Sequence, residues 1–431
     1  MNKQAKIQDN QLVNEYRPLA IAAGLGSMLG SGIIIGLSTT LAVWQDGLQL
    51  TNSQAGMLSG ILTLMIGFGS LFGGRIAEAI GLIKSFNWIN FFYALGVGMC
   101  VFANNFAVLA IGLGIAGVTS GLDLPVSLAV ISRDSPNKTV NNKLVSFTQI
   151  FWQLGTFISS VAAFIVSKVG GATGARIVFG VLTVIAIVAW LWRTFSATFR
   201  RFHTAGSQRL VADAQEAHSQ ANNASVTDVL LHQGGGKFMK YFLLIMVYYC
   251  LWNLLANTWG QFGTFMLRKA NASQSLATGA GLVIAFCVLG VVAFFSKVSA
   301  NNKNRMQSFV FGAVVTFISF VLLGFAGTKV WGIIAAQFAY QVGASLAGEA
   351  MYKVWTQESF PIAVRSSIQG IINGVSRLLC AVFAVVTPAL VMPDRINTTM
   401  WIFAVVVVIY SFVGIWMSHT QGKYGLHGLS L

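Results

Sequence analysis

Charge is scarce in this sequence. Only 9% of its 431 residues are Asp, Glu, Lys or Arg, and 55% are hydrophobic. A soluble chain carries about a quarter charged residues, so the length does not translate into two or three soluble domains. Acidic residues are the rarest, 12 against 27 Lys and Arg, which leaves a net charge of +15. On a soluble protein that excess would point to nucleic acid; in a membrane protein, basic residues gather in cytoplasmic loops, and no nucleic-acid partner is implied. Cysteine is limited to Cys100, Cys250, Cys287 and Cys380. Each stands alone in an apolar stretch, which excludes a disulfide framework or a zinc site and reads as a small buried hydrophobe. None of the five histidines falls within an expected span, which argues against a histidine proton relay. There is no Walker A loop for an ATP-driven pump and no nucleophile–base constellation for an enzyme, and no cofactor or metal is called for. The N-terminus lacks the apolar core and small-residue cleavage site of a signal peptide, so the first span is expected to stay in the mature protein.

What is abundant is long apolar runs, with 45 Gly and 32 Phe among them. A bilayer core of about 30 Å takes about 20 apolar residues per helix. On that scale twelve transmembrane helices are expected, near 18–44, 53–79, 85–103, 106–132, 144–168, 175–197, 238–266, 274–297, 306–327, 330–357, 365–391 and 398–418. This divides the chain into an N-terminal six-helix half (1–197), a polar linker (198–236) compatible with one or two surface helices, and a C-terminal six-helix half (237–431). Lys and Arg placement puts both termini in the cytoplasm. Asp134-Ser135-Pro136 ends the fourth span and Glu358-Ser359-Phe360-Pro361 the tenth, an internal repeat that predicts two equivalent halves, an architecture of transporters with a substrate site between them at mid-membrane. Gly112-Leu-Gly-Ile-Ala-Gly117 matches a dinucleotide fingerprint, but it lies inside a span with no preceding strand; close helix contact is its expected role.

Ionisable groups inside a bilayer are costly and usually face a cavity. The candidates are Asp123 in the fourth span, Glu349 and Lys353 in the tenth, and Arg377 near the middle of the eleventh. Arg377 is too central to snorkel. Either it pairs with Glu349 or Asp123 to fix packing, or it serves the transport cavity. Polar residues at i,i+4 spacing share a helix face. Such stripes comprise Gln337, Gln341, Ser345, Glu349 and Lys353; Tyr249, Asn253, Asn257 and Gln261; Gln369, Asn373 and Arg377; and Gln149 and Gln153 with Thr156 and Ser160. A lone amide in a span is usually an interhelical hydrogen bond, but four stripes exceed packing needs, and amides suit hydroxyl-rich ligands. Trp252, Trp259, Tyr352 and Trp355 lie near these stripes, as plates for a sugar ring or as packing.

With these stretches in view, the chain resembles the major facilitator superfamily, specifically its sugar porter branch and the bacterial inositol-type members. Gly121-Leu-Asp-Leu-Pro125 through Ser135-Pro136 and on to Gln149 and Gly155 is similar to the family's fourth and fifth spans. Glu358-Ser-Phe360-Pro361-Ile-Ala-Val-Arg365 is close to its acidic-x-Phe-Pro-x-x-x-Arg signature, and Gly74-Arg-Ile-Ala-Glu78-Ala-Ile-Gly81 is a degraded form of its loop motif. The resemblance implies an all-α, major-facilitator-type bundle of twelve transmembrane helices in two pseudo-symmetric six-helix halves. It implies that Gln149 binds substrate hydroxyls, that Asn253 and Asn257 replace the polar cluster of span seven, and that Glu78, Asp134, Glu358 and Arg365 form cytoplasmic gating networks. Proton-coupled members usually carry an Asp in span one and an Arg in span four. Here span one has no acidic residue and Leu113 occupies the Arg position, so coupling has moved to Glu349 or Asp123, or the carrier is an uncoupled facilitator.

The expected function is a secondary transporter of a small neutral polyhydroxylated solute, a cyclitol such as inositol or a monosaccharide, working by alternating access as a monomer in the cell's inner or plasma membrane. Its substrate-binding candidates are Gln149, Gln153, Asn253, Asn257, Gln261, Glu349, Trp355, Asn373 and Arg377. A carrier of a sugar acid or other organic anion using Arg377 is the alternative, and a non-transporting solute sensor a more distant one.

Overall fold

The computed structural model describes residues 3–216, 226–232, 236–298 and 302–423. They fold entirely into helices and connections, with no strand among the described residues. Six helices come first: α1 (Lys3–Gly47), α2 (Asn52–Ile80), α3 (Leu82–Val101), α4 (Phe106–Asp134), α5 (Lys138–Ile165) and α6 (Thr173–Phe195). The polar linker holds α7 (Ala197–Glu216) and α8 (Val226–Leu231). Then follow α9 (Lys237–Lys269), α10 (Gln274–Val298), α11 (Asn302–Ala326), α12 (Val330–Leu346), α13 (Glu349–Ser359), α14 (Ile362–Leu390) and α15 (Ile396–Lys423). Ten helical segments are long and apolar enough to cross a membrane. The other two expected spans are α3, whose apolar character is diluted by Lys84, Asn87 and Asn90, and α10, apolar over Gln274–Val288.

The chain divides into two compact units, Met1–Leu50 with Ile61–Asn222, and Thr51–Gly60 with Asn223–Leu431. Both follow one packing plan. In the first, α1 lies along α5 and α6, and α3 along α4 and α6. In the second, α9 lies along α14 and α15, and α11 along α12 and α15. The same ordinal partners recur, the structural counterpart of the sequence repeat. Proline sets the matching breaks, because its ring disfavours helical backbone in the residue before it. Ser135, before Pro136, is extended (φ −71°, ψ 139°) and ends α4. Phe360, before Pro361, is extended (φ −124°, ψ 151°) and ends α13. Asn137 then opens α5 by accepting a hydrogen bond from the Val140 amide at 2.8 Å, satisfying one of the orphan donors of a helix start.

Within the first unit, small residues let backbones touch. A Cβ on Gly155 of α5 would lie 2.0 Å from the Met28 carbonyl oxygen of α1. Ser31 donates to the Trp152 carbonyl at 2.6 Å, and Ser159 to that of Gly32 at 2.9 Å. Gly112, of the false dinucleotide pattern, abuts Gly96 and Cys100 of α3, which bears out close helix contact as its role. The helix α7 is built onto this unit by an apolar face: Phe202 stacks on Tyr16 at 4.4 Å between ring centroids, and Phe199 meets Trp192 edge-on at 5.2 Å.

Outward faces are apolar, with Val184, Phe325, Val382 and Ile402 among many large exposed side chains, as surfaces in contact with lipid must be. Cys287 is one such exposed residue, unlike the other three cysteines; the expectation that all four are buried fails there, because α10 turns that face outward beside the exposed Val283 and Phe286.

Candidate solute-binding site

The buried charge of the first unit has a partner that the sequence reading missed. Arg193 of α6 is 1% exposed and donates to Asp123 Oδ1 at 2.6 Å. Its Nε and Nη2 donate to the Ala22 carbonyl (3.1 and 2.7 Å), and Nη1 also donates to the Phe86 carbonyl at 3.1 Å. The guanidinium carbon sits 4.1 Å from the Phe86 ring centre. One side chain therefore joins α1, α3, α4 and α6, with every direction of its fork in use. Ser127 donates to the second oxygen of Asp123 at 3.1 Å, and a Cβ on Gly26 would collide with that same oxygen. The carboxylate of Asp123, one of the two packing partners considered for Arg377, is engaged within its own unit by Arg193. Position 193 looked unremarkable because it lies near the end of an apolar run; a guanidinium is long enough to reach back into the bundle.

Charges at the helix ends form two separate clamps. Asp134, wholly buried, lies 2.5 Å from His203 Nδ1 of α7 and 3.8 Å from Arg133 Nε, and its backbone carbonyl accepts from Arg209 at 2.7 Å. Glu358 takes both arms of Arg305, at 2.9 and 3.0 Å. The two acidic members of the sequence repeat thus each hold a basic partner. The side chains of Glu78, Arg365 and Gln149 lie outside the described residues.

The second unit gathers polar residues from α9, α13 and α14. Tyr249 donates to Asn373 Oδ1 at 3.4 Å, Asn253 donates to Ser376 at 2.7 Å, and Tyr352 donates to the Gln369 carbonyl at 2.7 Å. Tyr249 is sandwiched by two rings, stacking on Tyr352 at 3.9 Å and on Trp252 at 5.8 Å. Glu349 and Arg377 both lie within electrostatic reach of this tyrosine. Glu349 forms its ion pair with Lys353 at 2.9 Å, both side chains about half exposed. The anticipated Glu349–Arg377 contact pair is therefore replaced by Glu349–Lys353, because one helical turn brings those two together without any tertiary requirement. The Arg377 Nε is buried without a hydrogen-bond partner among the described residues.

The stripe expected along the tenth span is interrupted. The helix stops at Leu346 and restarts at Glu349, with Gly348 at φ −128° and ψ −134°. Gln337, Gln341 and Ser345 consequently sit on a different helix from Glu349 and Lys353. Carbonyls freed inside a membrane need a donor, and Tyr248 supplies it: its hydroxyl donates to the Ala347 carbonyl at 2.8 Å, with that of Gly348 at 3.3 Å. Trp355 is also displaced from the expected site. It is 1% exposed and wedged edge-on between Tyr248 and Phe309, so the ring faces beside the polar cluster are those of Tyr249, Trp252 and Tyr352. Trp259 packs with Phe320 and Tyr340. Gln261, 3% exposed, donates to Asn257 Oδ1 at 2.7 Å one turn away. Gln153 of the first unit is exposed on α5.

Long paired bundles of this plan, with ionisable groups at membrane depth, are those of carriers, and the family model named Major Facilitator Superfamily matches residues 19–385. The chain belongs to the Major Facilitator Superfamily. It is 26% identical over 420 residues to the minor myo-inositol transporter of Bacillus subtilis, covering 95% of this chain and 92% of that one. A probable polyol transporter of Arabidopsis thaliana is 27% identical over 181 residues, 42% of this chain and 34% of that one. Among solved structures, a D-xylose–proton symporter superposes with a TM-score of 0.74 at 17% identity, over 92% of this chain and 96% of that one. This major facilitator is a membrane transporter built as a twelve-span bundle, and not an enzyme. The motif resemblance to inositol-type carriers has its counterpart in the Bacillus subtilis relative.

Proposed function

We propose that this major facilitator carries a small polyhydroxylated solute, of cyclitol or monosaccharide size, by alternating access, with the solute held by α9, α13 and α14. The observation that carries the reading is the convergence of Asn253, Asn373, Glu349 and Arg377 beside stacked rings within one unit. Amides donate and accept at once, as hydroxyl groups require, and aromatic faces suit the apolar side of a ring. The inositol and polyol transport for which these relatives are named supports the same solute class. Asn257 and Gln261 of α9 are secondary contacts in this reading.

For coupling, Glu349 is the better proton site. Asp123 is buried against Arg193, whereas Glu349 is about half exposed and held by one lysine. In the same reading the protein is a monomer of the inner or plasma membrane with both termini in the cytoplasm, and Asp134, Glu358, Arg365 and Glu78 act in gating.

The test is uptake of labelled myo-inositol and hexoses into proteoliposomes, with and without a pH gradient. Asn253→Ala or Asn373→Ala should lower kcat/KM by about tenfold, the loss of one to two hydrogen bonds. Glu349→Gln should abolish gradient-driven accumulation. Uptake that ignores the gradient and stops at equal concentrations in the parent protein makes it a uniporter, and absence of uptake for every solute refutes the assignment.

A further inference from the structure

The charges of the α9–α13–α14 corner do not cancel. Glu349 is neutralised by Lys353 at 2.9 Å. Arg377 lies within electrostatic reach of Glu349, yet its Nε is buried with no hydrogen-bond partner among the described residues. Asp123, the remaining acidic residue placed at membrane depth, belongs to the other unit and is engaged by Arg193. Two cations and one anion leave a single positive charge in excess. A guanidinium that forms no ion pair among the described residues is costly at membrane depth, so the balancing anion is most simply brought by what binds there.

We propose that the solute, within the polyhydroxylated class and resting on that assignment, carries one carboxylate, and that Arg377 is its counter-ion. A guanidinium fork matches a carboxylate with two parallel hydrogen bonds, which an ammonium does not. Asn373 stands one turn before Arg377 on the same helix face, and its Oδ1 already accepts from Tyr249. Its amide NH2 is thereby oriented to donate to a hydroxyl beside the carboxylate. Selectivity also follows from the Glu349–Lys353 pair. Lys353 is held by Glu349, so the corner offers one uncompensated cation and a second carboxylate on the solute would face Glu349 unpaired. The preferred solute is a sugar monoacid, ahead of both the neutral sugar and the diacid.

The experiment uses the full-length protein in liposomes and matched probes: myo-inositol, D-glucose and D-galactose against D-glucuronate, D-galacturonate and the diacid D-galactarate. Binding is read as thermal stabilisation and as competition for uptake. A uronate should bind at least about tenfold tighter than its parent sugar, a charge-assisted bidentate contact being roughly twice as strong as a neutral one, and galactarate should fall behind galacturonate. Arg377→Gln should bring the acid-to-neutral ratio to about one or below, with Arg377→Lys between the two. A parent sugar that binds as well as its uronate in the unmodified protein overturns the inference without any variant having to fold. A preference that survives Arg377→Gln overturns it as well. Binding of inositol or hexoses without uronates removes this inference and leaves the solute class intact; binding of neither removes both.

Discussion

Arg193 shows how one residue can tie four helices together at membrane depth. Its guanidinium satisfies two backbone carbonyls and a carboxylate while resting on a ring. Removing one partner of such a pair leaves the other charge buried, a loss of about 3–5 kcal/mol, whereas replacing both with uncharged groups is often close to neutral. Arg193→Met should therefore lower the unfolding temperature in detergent far more than the double change Arg193→Met with Asp123→Asn. Equal destabilisation by the single and double variants would show that the carboxylate is not what Arg193 serves. Among the ionisable residues singled out from the sequence, Asp123 was visible as an anomaly because a carboxylate inside an apolar run stands out. Its partner was not, because the reach of an arginine side chain is several residues of helix and periodicity does not record it.

The break between α12 and α13 belongs to the scale of the element. It places Glu349 in the first turn of a new helix, where the Gly348 carbonyl accepts from the Met351 amide at 3.0 Å, and it leaves the Ala347 carbonyl to be met by Tyr248 of α9 at 2.8 Å. The site of the break is sterically fixed: a Cβ on Gly348 would stand 2.5 Å from the Trp252 ring and 2.2 Å from the Ala344 carbonyl oxygen. Gly348→Ala should cost about 1–3 kcal/mol, as overpacking does, and should also weaken solute binding, since Trp252 is part of the stack beside Tyr249. Tyr248→Phe should cost about 1–3 kcal/mol by leaving a buried carbonyl unmet. Thermal melts and binding titrations of both variants check this, and an unaltered melt for Gly348→Ala would mean that the ring moves freely aside. Hydropathy averaged over a span hides such a break, since it responds to composition and a run of 27 residues that includes Glu349 and Lys353 still passes as one span.

At the scale of the molecule, the repeat is what organises the rest. Two units with the same packing plan end their fourth spans in an acidic residue and a proline, and each acidic residue holds a basic partner, His203 and Arg133 for Asp134 and Arg305 for Glu358. If these clamps gate transport, Asp134→Asn and Glu358→Gln should each slow turnover at saturating solute by about tenfold, as altered conformational steps do, while equilibrium binding in detergent changes by less than about twofold. Single-turnover and steady-state uptake separate the two effects, and unchanged turnover would reduce the clamps to structural ties. The linker helix α7 enters here too, because it brings His203 to Asp134; its amphipathic, mixed-charge sequence suggested a surface helix and gave no sign of that buried contact.

By itself the sequence determined the number and approximate placement of the membrane spans, the twofold plan and the family, because span length, proline breaks and acidic motif ends are properties of contiguous residues. It also supplied the candidates: Asn253, Asn373, Glu349 and Arg377 were legible as polar groups on helix faces that lipid would not tolerate. The tertiary structure alone decided which of them meet. The rotation of α9, α13 and α14 about their axes brought Tyr249 to Asn373 and Asn253 to Ser376, sent Trp355 into the aromatic core and left Arg377 without an ion pair among the described residues, while the packing of α4 against α6 gave Asp123 to Arg193. Those outcomes depend on distances between helices, to which the period of a single helix is blind.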